Sequence, residues 1–319
     1  MSRSIRRWNK MCGLFGFLHY GKSDIKGLSG ITNVLADESA ARGTDAAGIA
    51  YRANGRLHIT KDSKPGYSME FKHPDSVKTL IGHTRHSTQG SEKNNYNNHP
   101  FYGRCENTRF ALAHNGVIIN DRELKTKYKL PKTKIETDSY VAVQLLEYKD
   151  KLDFMSLKFM AEQVTGGFSF SVLDHRNNLW LVKGDSPICL LHFPQKQLYI
   201  YASTESILWR ALIATSLFQE LKCSRYKSIE IKDGTILRIS PDGKLKMQKF
   251  AYTDYTGLRS YDWRDYGYHG SYGKSGYTDM LIDDLKAIAC YHGYTAEDID
   301  AMLSAGITPD EIEDYLYEM

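Results

Sequence analysis

The stretch Met11-Cys12-Gly13-Leu14-Phe15-Gly16 places a cysteine directly behind a methionine and directly ahead of a short apolar run. Residues 12–20 are apolar with small residues between them, which predicts a central, buried strand. Read alone, the stretch is a strand with a small residue at its head. The other motifs of the chain acquire a common meaning if Cys12 is a nucleophile that is exposed by loss of everything before it.

Length and composition are those of an ordinary globular protein. The 319 residues can hold one large domain or a medium one with an appendage, and 41% of them are hydrophobic and 25% charged. No run approaches the roughly 20 apolar residues of a membrane helix, and the basic residues 1–10 lack the apolar run of a secretory signal. The net charge of +4 gives no case for nucleic-acid binding. We therefore expect a cytoplasmic protein without membrane or nucleic-acid partners.

The cysteines and histidines do not form a metal-binding pattern. The five cysteines are odd in number, and no C-x-x-C pair occurs among them, so neither a zinc site nor a disulfide framework is indicated. His83 and His114 lie in apolar runs without an H-x-x-x-H pattern or a carboxylate cluster, and we interpret them as strand histidines. We expect no metal and no cofactor.

Periodicity predicts an α+β chain in which short strands are frequent. A hairpin is predicted at 49–60 around Asn54-Gly55, and a buried strand at 79–86. Helices are predicted at 27–41, 140–146, 157–164 and 205–214. The later strands are predicted at 168–174, 179–183, 188–192, 198–202, 229–239 and 245–250, the last two joined by Pro241-Asp242-Gly243.

Two polar motifs allow a structural or a functional interpretation. His114-Asn115-Gly116 interrupts the apolar run 110–119, and buried polar groups without partners cost about 1–3 kcal/mol each. A tight turn at Asn115-Gly116 is the structural alternative. Thr137-Asp138-Ser139 precedes an apolar-periodic helix, and its structural alternative is a helix cap, with Asp138 kept ionised by the positive end of the helix.

The C-terminal part of the chain changes character. Residues 252–277 are rich in tyrosine and glycine, which predicts a linker or a loosely docked strap. Residues 278–319 carry three helical patterns. The second begins at Thr295, and the third is opened by the capping box Thr308-Pro309-Asp310-Glu311. A unit of about 40 residues is marginal by itself unless it docks. It weakly resembles small helical interaction modules such as ubiquitin-associated-like domains, and a plain packed appendage is the alternative.

Six motifs occur together in a characteristic order. The chain resembles the class II glutamine amidotransferase domain of the N-terminal-nucleophile (Ntn) family over residues 12–250. The motifs that carry the resemblance are Cys12-Gly13-Leu14-Phe15-Gly16, Arg42-Gly43-Thr44-Asp45-Ala46-Ala47-Gly48, Gly82-His83-Thr84-Arg85-His86-Ser87-Thr88-Gln89-Gly90, Asn98-His99-Pro100, His114-Asn115-Gly116 and Glu136-Thr137-Asp138. The resemblance implies an α+β fold, the four-layer αββα sandwich of two antiparallel sheets.

The resemblance also implies a chemistry for Cys12. In the family the cysteine is the first residue, its α-amino group serves as base, and its thiolate attacks the side-chain amide of glutamine. A γ-glutamyl thioester forms, ammonia leaves, and water releases glutamate. The oxyanion of this reaction is held by the groups that correspond to the Asn115 side-chain amide and the Gly116 backbone N–H.

Glutamine recognition is implied at four further positions. Arg85 corresponds to the residue that pairs with the α-carboxylate, and Asp138 to the acceptor of the α-ammonium group. His86 and Thr88 correspond to pocket-lining positions, and Arg42 to a position near the nucleophile. Two departures concern the pocket lid, because many members carry an aromatic residue where His86 stands and one branch has histidine in place of Gln89.

The leader 1–11 decides between an enzyme and a binding protein. If it stays attached, Cys12 has a peptide nitrogen instead of a basic amine. Met11 as the true start is the favoured interpretation, a cleaved propeptide comes next, and retention of the leader with a catalytically silent enzyme is the third. Three functions stay open: a glutaminase that donates ammonia, a glutamine-binding or regulatory protein with Cys12 blocked, and an Ntn acylase acting on another amide, against which Arg85 and Asp138 argue.

The predicted domains are the leader 1–11, a glutaminase domain 12–251, a linker 252–277 and a helical unit 278–319. Residues 252–319 are too few and too polar for a domain that accepts ammonia, and no adenylating, sugar-isomerase or phosphoribosyl-pyrophosphate motif occurs. We therefore expect a stand-alone glutaminase domain, with glutamine as substrate and a separately encoded synthase as the candidate partner.

Overall fold

The computed structural model describes residues 11–106, 108–252, 286, 289, 294–304 and 312. Contacts between Cα atoms divide the chain into two units, Met1–Tyr255 and Thr256–Met319. The six motifs that carry the resemblance all lie within the first unit.

The first unit is built on two antiparallel sheets. The seven-stranded sheet contains β1 Gly13–His19, β2 Ala46–Ala53, β3 Arg56–Asp62, β4 Thr79–Arg85, β9 Cys189–Phe193, β10 Leu198–Ala202 and β11 Lys227–Ser228, in the order β11-β9-β10-β1-β4-β2-β3. The six-stranded sheet contains β5 Phe101–Cys105, β6 Thr108–Ile118, β7 Gly166–Asp174, β8 Leu179–Lys183, β12 Thr235–Ile239 and β13 Leu245–Lys249, in the order β13-β12-β8-β7-β6-β5. β1 is therefore a central strand, as its apolar pattern predicts.

Helices cover the outer face of each sheet. α1 (Ile31–Ser39) contacts β1 and β4, and α5 (Glu205–Ile213), followed by α6 (Leu217–Leu221), contacts β10. On the other side α3 (Tyr140–Tyr148) contacts β5, α4 (Phe154–Gln163) contacts β12, and α2 (Asp121–Lys127) contacts α3. This arrangement confirms the expected αββα sandwich.

The inner faces of the sheets meet through an apolar layer. β1 and β4 lie against β6, and Leu14, Ile81 and Ala113 from these three strands are fully buried in one cluster. Burying apolar surface on both sides of β1 and β4 fixes their position, since each Å² removed from water contributes about 25 cal/mol. The sandwich therefore holds the end of β1 close to the middle of β6.

Local sequence signals account for several elements. Asn54 and Gly55 adopt φ values of 50° and 73°, the conformation that a two-residue hairpin turn requires, and this confirms the hairpin of β2 and β3. β4, α5 and the strands predicted from 168 to 202 are also confirmed. α4 begins one turn earlier than predicted because Asp153 caps it, its carboxylate accepting from Ser156 N at 2.9 Å.

Two expectations are wrong. The predicted strand 229–239 is a strand only from Thr235, because Gly234 adopts φ 71° and the pairing with β8 begins at Thr235 opposite Lys183. The turn at Asn115-Gly116 does not exist either. β6 runs unbroken through both residues, and β7 pairs with it along that length.

The second unit contains one described helix. α7 (Ala296–Ser304) begins after Thr295, whose Oγ1 accepts from Asp298 N at 3.2 Å while Asp298 Oδ2 accepts from Thr295 N at 2.7 Å. This reciprocal cap confirms the helix predicted there. The other two tail helices lie mainly outside the described residues, as does the linker from residue 253 onwards. Within the described parts of the chain, no helix is long and apolar enough to cross a membrane.

Candidate functional site

Cys12 immediately precedes β1 and lies against the end of β4. The pairing of Gly13 with Thr84 places the cysteine beside the next residues of the neighbouring strand. The backbone N–H of His86 lies 3.4 Å from Cys12 Sγ, and the thiol donates to His86 O at 3.5 Å. Arg42 Nε donates to the Cys12 carbonyl oxygen at 2.8 Å, so the backbone of the cysteine is fixed as well as its side chain.

The surroundings of Cys12 keep its thiol protonated. Burial raises the pKa of Cys12 to about 11, and Asp138 acts in the same direction, while the His86 N–H, Arg85 and Arg42 oppose the shift. These groups are the ones that the sequence motifs single out, so the fold gathers residues from three further motifs around the sulfur of Cys12. A thiol with so high a pKa is a poor nucleophile near neutral pH unless a base removes its proton.

Arg85 is buried at the end of β4 and is held by neutral acceptors. Its Nη1 donates to Asn98 Oδ1 at 2.7 Å, and its Nη2 donates to the carbonyl oxygens of Gln89 and Gly90, each at 2.7 Å. The side chain is 3% exposed, and no carboxylate among the described residues forms a salt bridge with it. A guanidinium fixed in this way can pair with a carboxylate from outside the chain.

Asp138 is buried beside the start of α3 but does not cap it. Its Oδ2 accepts from Ile118 N at 2.6 Å, and the N-cap position is Ser139, which makes no side-chain cap hydrogen bond. The helix-cap interpretation is therefore wrong, because the carboxylate is turned towards the end of β6. Burial raises the pKa of Asp138, and the hydrogen bonds from the backbone of Ile118 and Ser139 oppose that shift.

β6 continues unbroken through Asn115 and Gly116, where a buried amide interrupts its apolar run. Asn115 is completely buried, and neither atom of its side-chain amide has a hydrogen-bond partner among the described residues. Gly116 has φ 136°, and a Cβ there would lie 2.0 Å from Gly167 O, so only glycine fits. The strand thus carries an unpaired buried amide next to a residue that cannot hold a side chain.

Three buried histidines lie close together where β6 faces β4: His114 on β6, His83 on β4 and His99 just before β5. His83 Nε2 bonds to His114 O at 2.8 Å, and the rings of His83 and His99 are 4.1 Å apart. Burial lowers the pKa values of His83 and His114 to about 3 and that of His99 well below its ordinary value, so all three are neutral. No group of three or more potential metal ligands is arranged to hold an ion within the described residues.

The loop that follows Arg85 covers the thiol. His86 is half-buried, and its Nδ1 lies 3.5 Å from Asp45 Oδ2, which also accepts from Ser87 N at 2.7 Å. The bond to His86 is the main cause that lowers the pKa of Asp45 to about 2. Thr88 is exposed on the same loop, so its expected place in the pocket lining stays a prediction.

Three hydrogen bonds connect this loop to the segment that precedes Asp138. Gln89 Nε2 donates to Glu136 O at 2.9 Å. Asn97 Nδ2 donates to Glu136 Oε2 at 2.8 Å, and Glu136 N donates to Asn97 Oδ1 at 2.9 Å. These bonds join the segment that contains Arg85 directly to the segment that contains Asp138, although the two residues are 53 positions apart in the sequence.

Sequence reasoning assigned no role to several residues of the site. Asp45 and Asn98 stand inside quoted motifs, and their positions there were the only signal. Glu136 also stands in a motif, but its contact with Asn97 depends on the fold. Lys61 of β3 stands in no motif, and a single lysine on an amphipathic strand gives no signal.

Comparisons with known proteins agree with this geometry. A family described as a glutamine amidotransferase domain matches residues 83–210. The glutamine–fructose-6-phosphate aminotransferase of Staphylococcus aureus is 33% identical over 193 residues, covering 56% of this chain and 30% of the relative. The enzyme of the same name from Chlamydia trachomatis is 29% identical over 243 residues, covering 73% of this chain and 39% of its own.

Solved structures agree on the fold. Glutamine phosphoribosylpyrophosphate amidotransferase from B. subtilis superimposes with a TM-score of 0.59 at 21% identity, covering 76% of this chain and 50% of that one. The chain spans about a third of the length of the curated relatives it matches, 30% of one and 39% of the other. Residues 83–210 match a glutamine amidotransferase domain, and the sequence relatives and the αββα fold agree with the resemblance to the class II domain of the N-terminal-nucleophile family.

Proposed function

We propose that this domain hydrolyses the side-chain amide of glutamine through a thioester on Cys12 and releases the ammonia to an acceptor. The observation that carries the proposal is the Asn115 amide. It is completely buried and unpaired among the described residues, on a strand that lies against β1, the strand that Cys12 precedes. Leaving a buried amide unpaired costs about 1–3 kcal/mol, and a reaction that develops a negative oxygen beside it supplies the partner.

The nucleophile needs a base, and we assign that role to the α-amino group of Cys12 itself. With a peptide bond to Met11 the thiol has a pKa of about 11 and stays protonated. A free α-amino group has an ordinary pKa of about 7.7–8.0 and would take the thiol proton at neutral pH. We therefore assign activity to the form in which Cys12 is the first residue.

The reaction then balances without further groups. The Cys12 thiolate attacks the amide carbon of glutamine, and the oxyanion accepts hydrogen bonds from the Asn115 amide and the Gly116 N–H. The C–N bond breaks, and the ammonium group of Cys12 returns the proton to the leaving nitrogen as ammonia. Water, deprotonated by the same amine, attacks the thioester and releases glutamate.

Arg85 and Asp138 supply recognition of the free amino acid. The guanidinium of Arg85 pairs with the α-carboxylate, and the buried carboxylate of Asp138 accepts the α-ammonium group. An ammonium partner would offset the burial that raises the pKa of Asp138, so binding and ionisation of this residue support each other. His86 and Thr88 line the pocket in this proposal, and Arg42 acts through the Cys12 carbonyl without touching substrate.

One observation favours a second candidate, a glutamine-binding protein with Cys12 blocked. Met11 N donates to Arg42 O at 2.9 Å, so a residue ahead of Cys12 is accommodated without displacing Arg42 from the Cys12 carbonyl. In that form Arg85 and Asp138 would still bind glutamine, whereas the thiol would lack its base. An acylase acting on another amide is disfavoured by this same pair of residues.

The ammonia acceptor is proposed to be a separate synthase that docks on the chain. The experiment is a glutaminase assay on the purified protein together with its intact mass, followed by co-purification with and without residues 252–319. Glutamate release by a chain that begins at Cys12 supports the enzyme. Glutamine binding without hydrolysis by a chain that retains Met11 supports the second candidate, and failure to recover any partner weighs against the separate synthase.

A further inference from the structure

Lys61 of β3 is a half-buried cation that forms no carboxylate salt bridge among the described residues. Its ammonium group donates to the carbonyl oxygen of Asn98, and to that of Pro100 at 3.1 Å. It also lies 5.0 Å from the centre of the Phe101 ring. A cation held by carbonyls and a ring face, with no anion nearby, is unusual enough to require an explanation.

The segment that Lys61 holds is the segment that holds Arg85. Asn98 is 1% exposed, and its Oδ1 accepts from Arg85 Nη1 at 2.7 Å. The other end of the same amide donates to Glu92 O at 2.8 Å and to Asn95 Oδ1 at 3.2 Å. Every polar atom of Asn98 is thus committed, and its position fixes one arm of the guanidinium.

The backbone approaches closely at this point. A Cβ at Gly48 of β2 would lie 2.3 Å from His99 O and 2.6 Å from Lys61 Cβ, so glycine lets the segment 98–100 lie directly on the sheet. Lys61, on the neighbouring strand β3, donates to carbonyl oxygens of the same segment. The segment 98–100 is therefore held against the sheet at both Gly48 and Lys61.

The charges around Lys61 point towards an anion. Burial, and then the cation of Arg85, lower the pKa of Lys61 to about 8. His83 and His99 face both cations, and burial keeps these histidines neutral, while Glu92, Asp45 and Asp138 act on Arg85 and favour its charged form. Lys61 and Arg85 therefore flank Asn98, and none of the described carboxylates forms a salt bridge with either, so a carboxylate bound at Arg85 would be attracted by both cations.

We propose that Lys61 is a positioning residue for the α-carboxylate of glutamine. It holds the Asn98 segment, and Asn98 in turn orients Nη1 of Arg85 towards the ligand. The role rests on the proposed function, because glutamine is the ligand that Arg85 is assigned to bind. It differs from the direct contacts in that Lys61 itself touches no substrate.

The first test is the steady-state kinetics of Lys61→Met. The KM for glutamine is expected to rise about tenfold while kcat changes less than about twofold, because the nucleophile and the oxyanion groups are left in place. Lys61→Arg, which keeps a charged donor, is expected to restore KM to within about threefold of the wild-type value. Lys64→Met is the matched control, since Lys64 is an exposed cation paired with Asp62 at 2.9 Å.

A double-mutant cycle separates positioning from general loosening of the fold. If Lys61 acts through Asn98, the KM of Lys61→Met/Asn98→Ala should equal that of Asn98→Ala alone. Multiplicative effects would overturn the proposal. Should Lys61→Met fail to fold, Lys61→Gln, which keeps a shorter donor, is judged by the same cycle.

The outcomes distinguish this inference from the proposed function. A wild-type chain that begins at Cys12 and does not hydrolyse glutamine contradicts the proposed function, whatever Lys61 does. A wild-type enzyme that is active, with a KM that Lys61→Met leaves within twofold, contradicts the role of Lys61 alone. A fall in kcat without a change in KM contradicts it as well, because a carboxylate-positioning residue acts on binding.

Discussion

Both sheets contribute residues to the site, but the polar side chains from one are held by hydrogen bonds and a buried amide on the other is left unpaired. On the seven-stranded sheet and its loops, Nη1 and Nη2 of Arg85 and the side-chain amide of Asn98 are held by hydrogen bonds. On the six-stranded sheet, Asn115 is buried with an amide that bonds to none of the described residues. The first sheet fixes charges that exist in the resting protein, and the second keeps a donor free for a charge that forms only during a reaction. The buried guanidinium and the unpaired amide both lower the stability of the resting protein. Substitutions at the two positions should differ in their effects on stability and on the kinetic constants.

Removal of the nucleophile should have the largest effect. Cys12→Ala is expected to lower glutamine hydrolysis by about 10⁴-fold or more, because neither sheet can stabilise a transition state that no longer forms. Glutamate release measured with an enzyme-coupled assay checks this. Cys189→Ala is the control, since burial raises the pKa of that thiol and no site group contacts it in the described structure. Activity lost equally in both variants would contradict the assignment.

Removal of the free donor should come next. Asn115→Ala is expected to lower kcat by about 10²–10³-fold, the loss that follows removal of one oxyanion donor. Its thermal midpoint should not fall, because the substitution removes an unpaired buried amide. Asn33→Ala offers the opposite case, since Asn33 bonds to both the N–H and the carbonyl of Phe71, at 2.8 and 3.1 Å. That variant should lose stability and keep its kcat. An Asn115→Ala variant that is less stable than the wild type but fully active would contradict the difference proposed between the two sheets.

The histidine layer between the sheets should limit stability in acid. In the unfolded chain a histidine takes up a proton near pH 6.5, whereas His83 and His114 stay neutral down to about pH 3. These histidines therefore do not reduce the free energy of unfolding above pH 6.5, and that free energy falls as the pH drops from 6.5 towards 3. One such histidine lowers it by about 2–3 kcal/mol at pH 4.5.

Denaturant unfolding at a series of pH values tests this layer. His99→Leu should reduce the slope of unfolding free energy against pH by about one proton between pH 6.5 and 4.5. Identical slopes for His99→Leu and the wild type would mean that this imidazole is protonated in the folded protein.

Substitution of Arg85 should have a smaller kinetic effect than substitution of Asn115, and it should change KM more than kcat. Arg85→Lys is expected to raise the KM for glutamine by about 10–30-fold and to change kcat less, because an ammonium group cannot reproduce the planar fork. Initial rates over a range of glutamine concentrations separate the two constants. Arg104→Lys, at an exposed position of β5, should match the wild type. A loss in kcat alone would place Arg85 in the chemical step instead of in binding.

The smallest effect is expected at the loop above the thiol. Asp45→Asn keeps the size of the side chain and weakens the bonds to Ser87 N and His86, so kcat/KM should fall by less than about tenfold. The same kinetic assay measures it, with Asp62→Asn as the exposed control. A loss as large as that of Cys12→Ala would give Asp45 a direct part in the chemistry.

The sequence predicted the parts of the fold that local signals determine. Asn54-Gly55 determines a hairpin by its own backbone preference, and the apolar runs of β1 and β4 determine buried strands. Asn115-Gly116 was ambiguous, because the same dipeptide forms a turn in one context and continues a strand in another. Pairing of β6 with β7 decides between them, and pairing between distant strands is invisible in local sequence.

The site was predictable only where a motif marked it. Cys12, Arg85 and Asp138 were named because they stand in recognisable motifs. The contacts that hold them were not predictable, since Asn98 meets Arg85, and Glu136 meets Asn97, through loops that the fold brings together. Asp138 illustrates the limit best, because its position before a helix predicted a cap and the adjacent strand takes its carboxylate instead.

The most direct measurement is peptide mapping by mass spectrometry after treatment with a glutamine analogue that carries an electrophile at the side-chain carbonyl. The expected result is one adduct per chain, on the sulfur of Cys12 in a peptide whose α-amino group is free, with glutamate release lost in proportion to labelling. Labelling of Cys189 or Cys223, or glutamine hydrolysis that continues with Cys12 fully modified, would contradict Cys12 as the nucleophile.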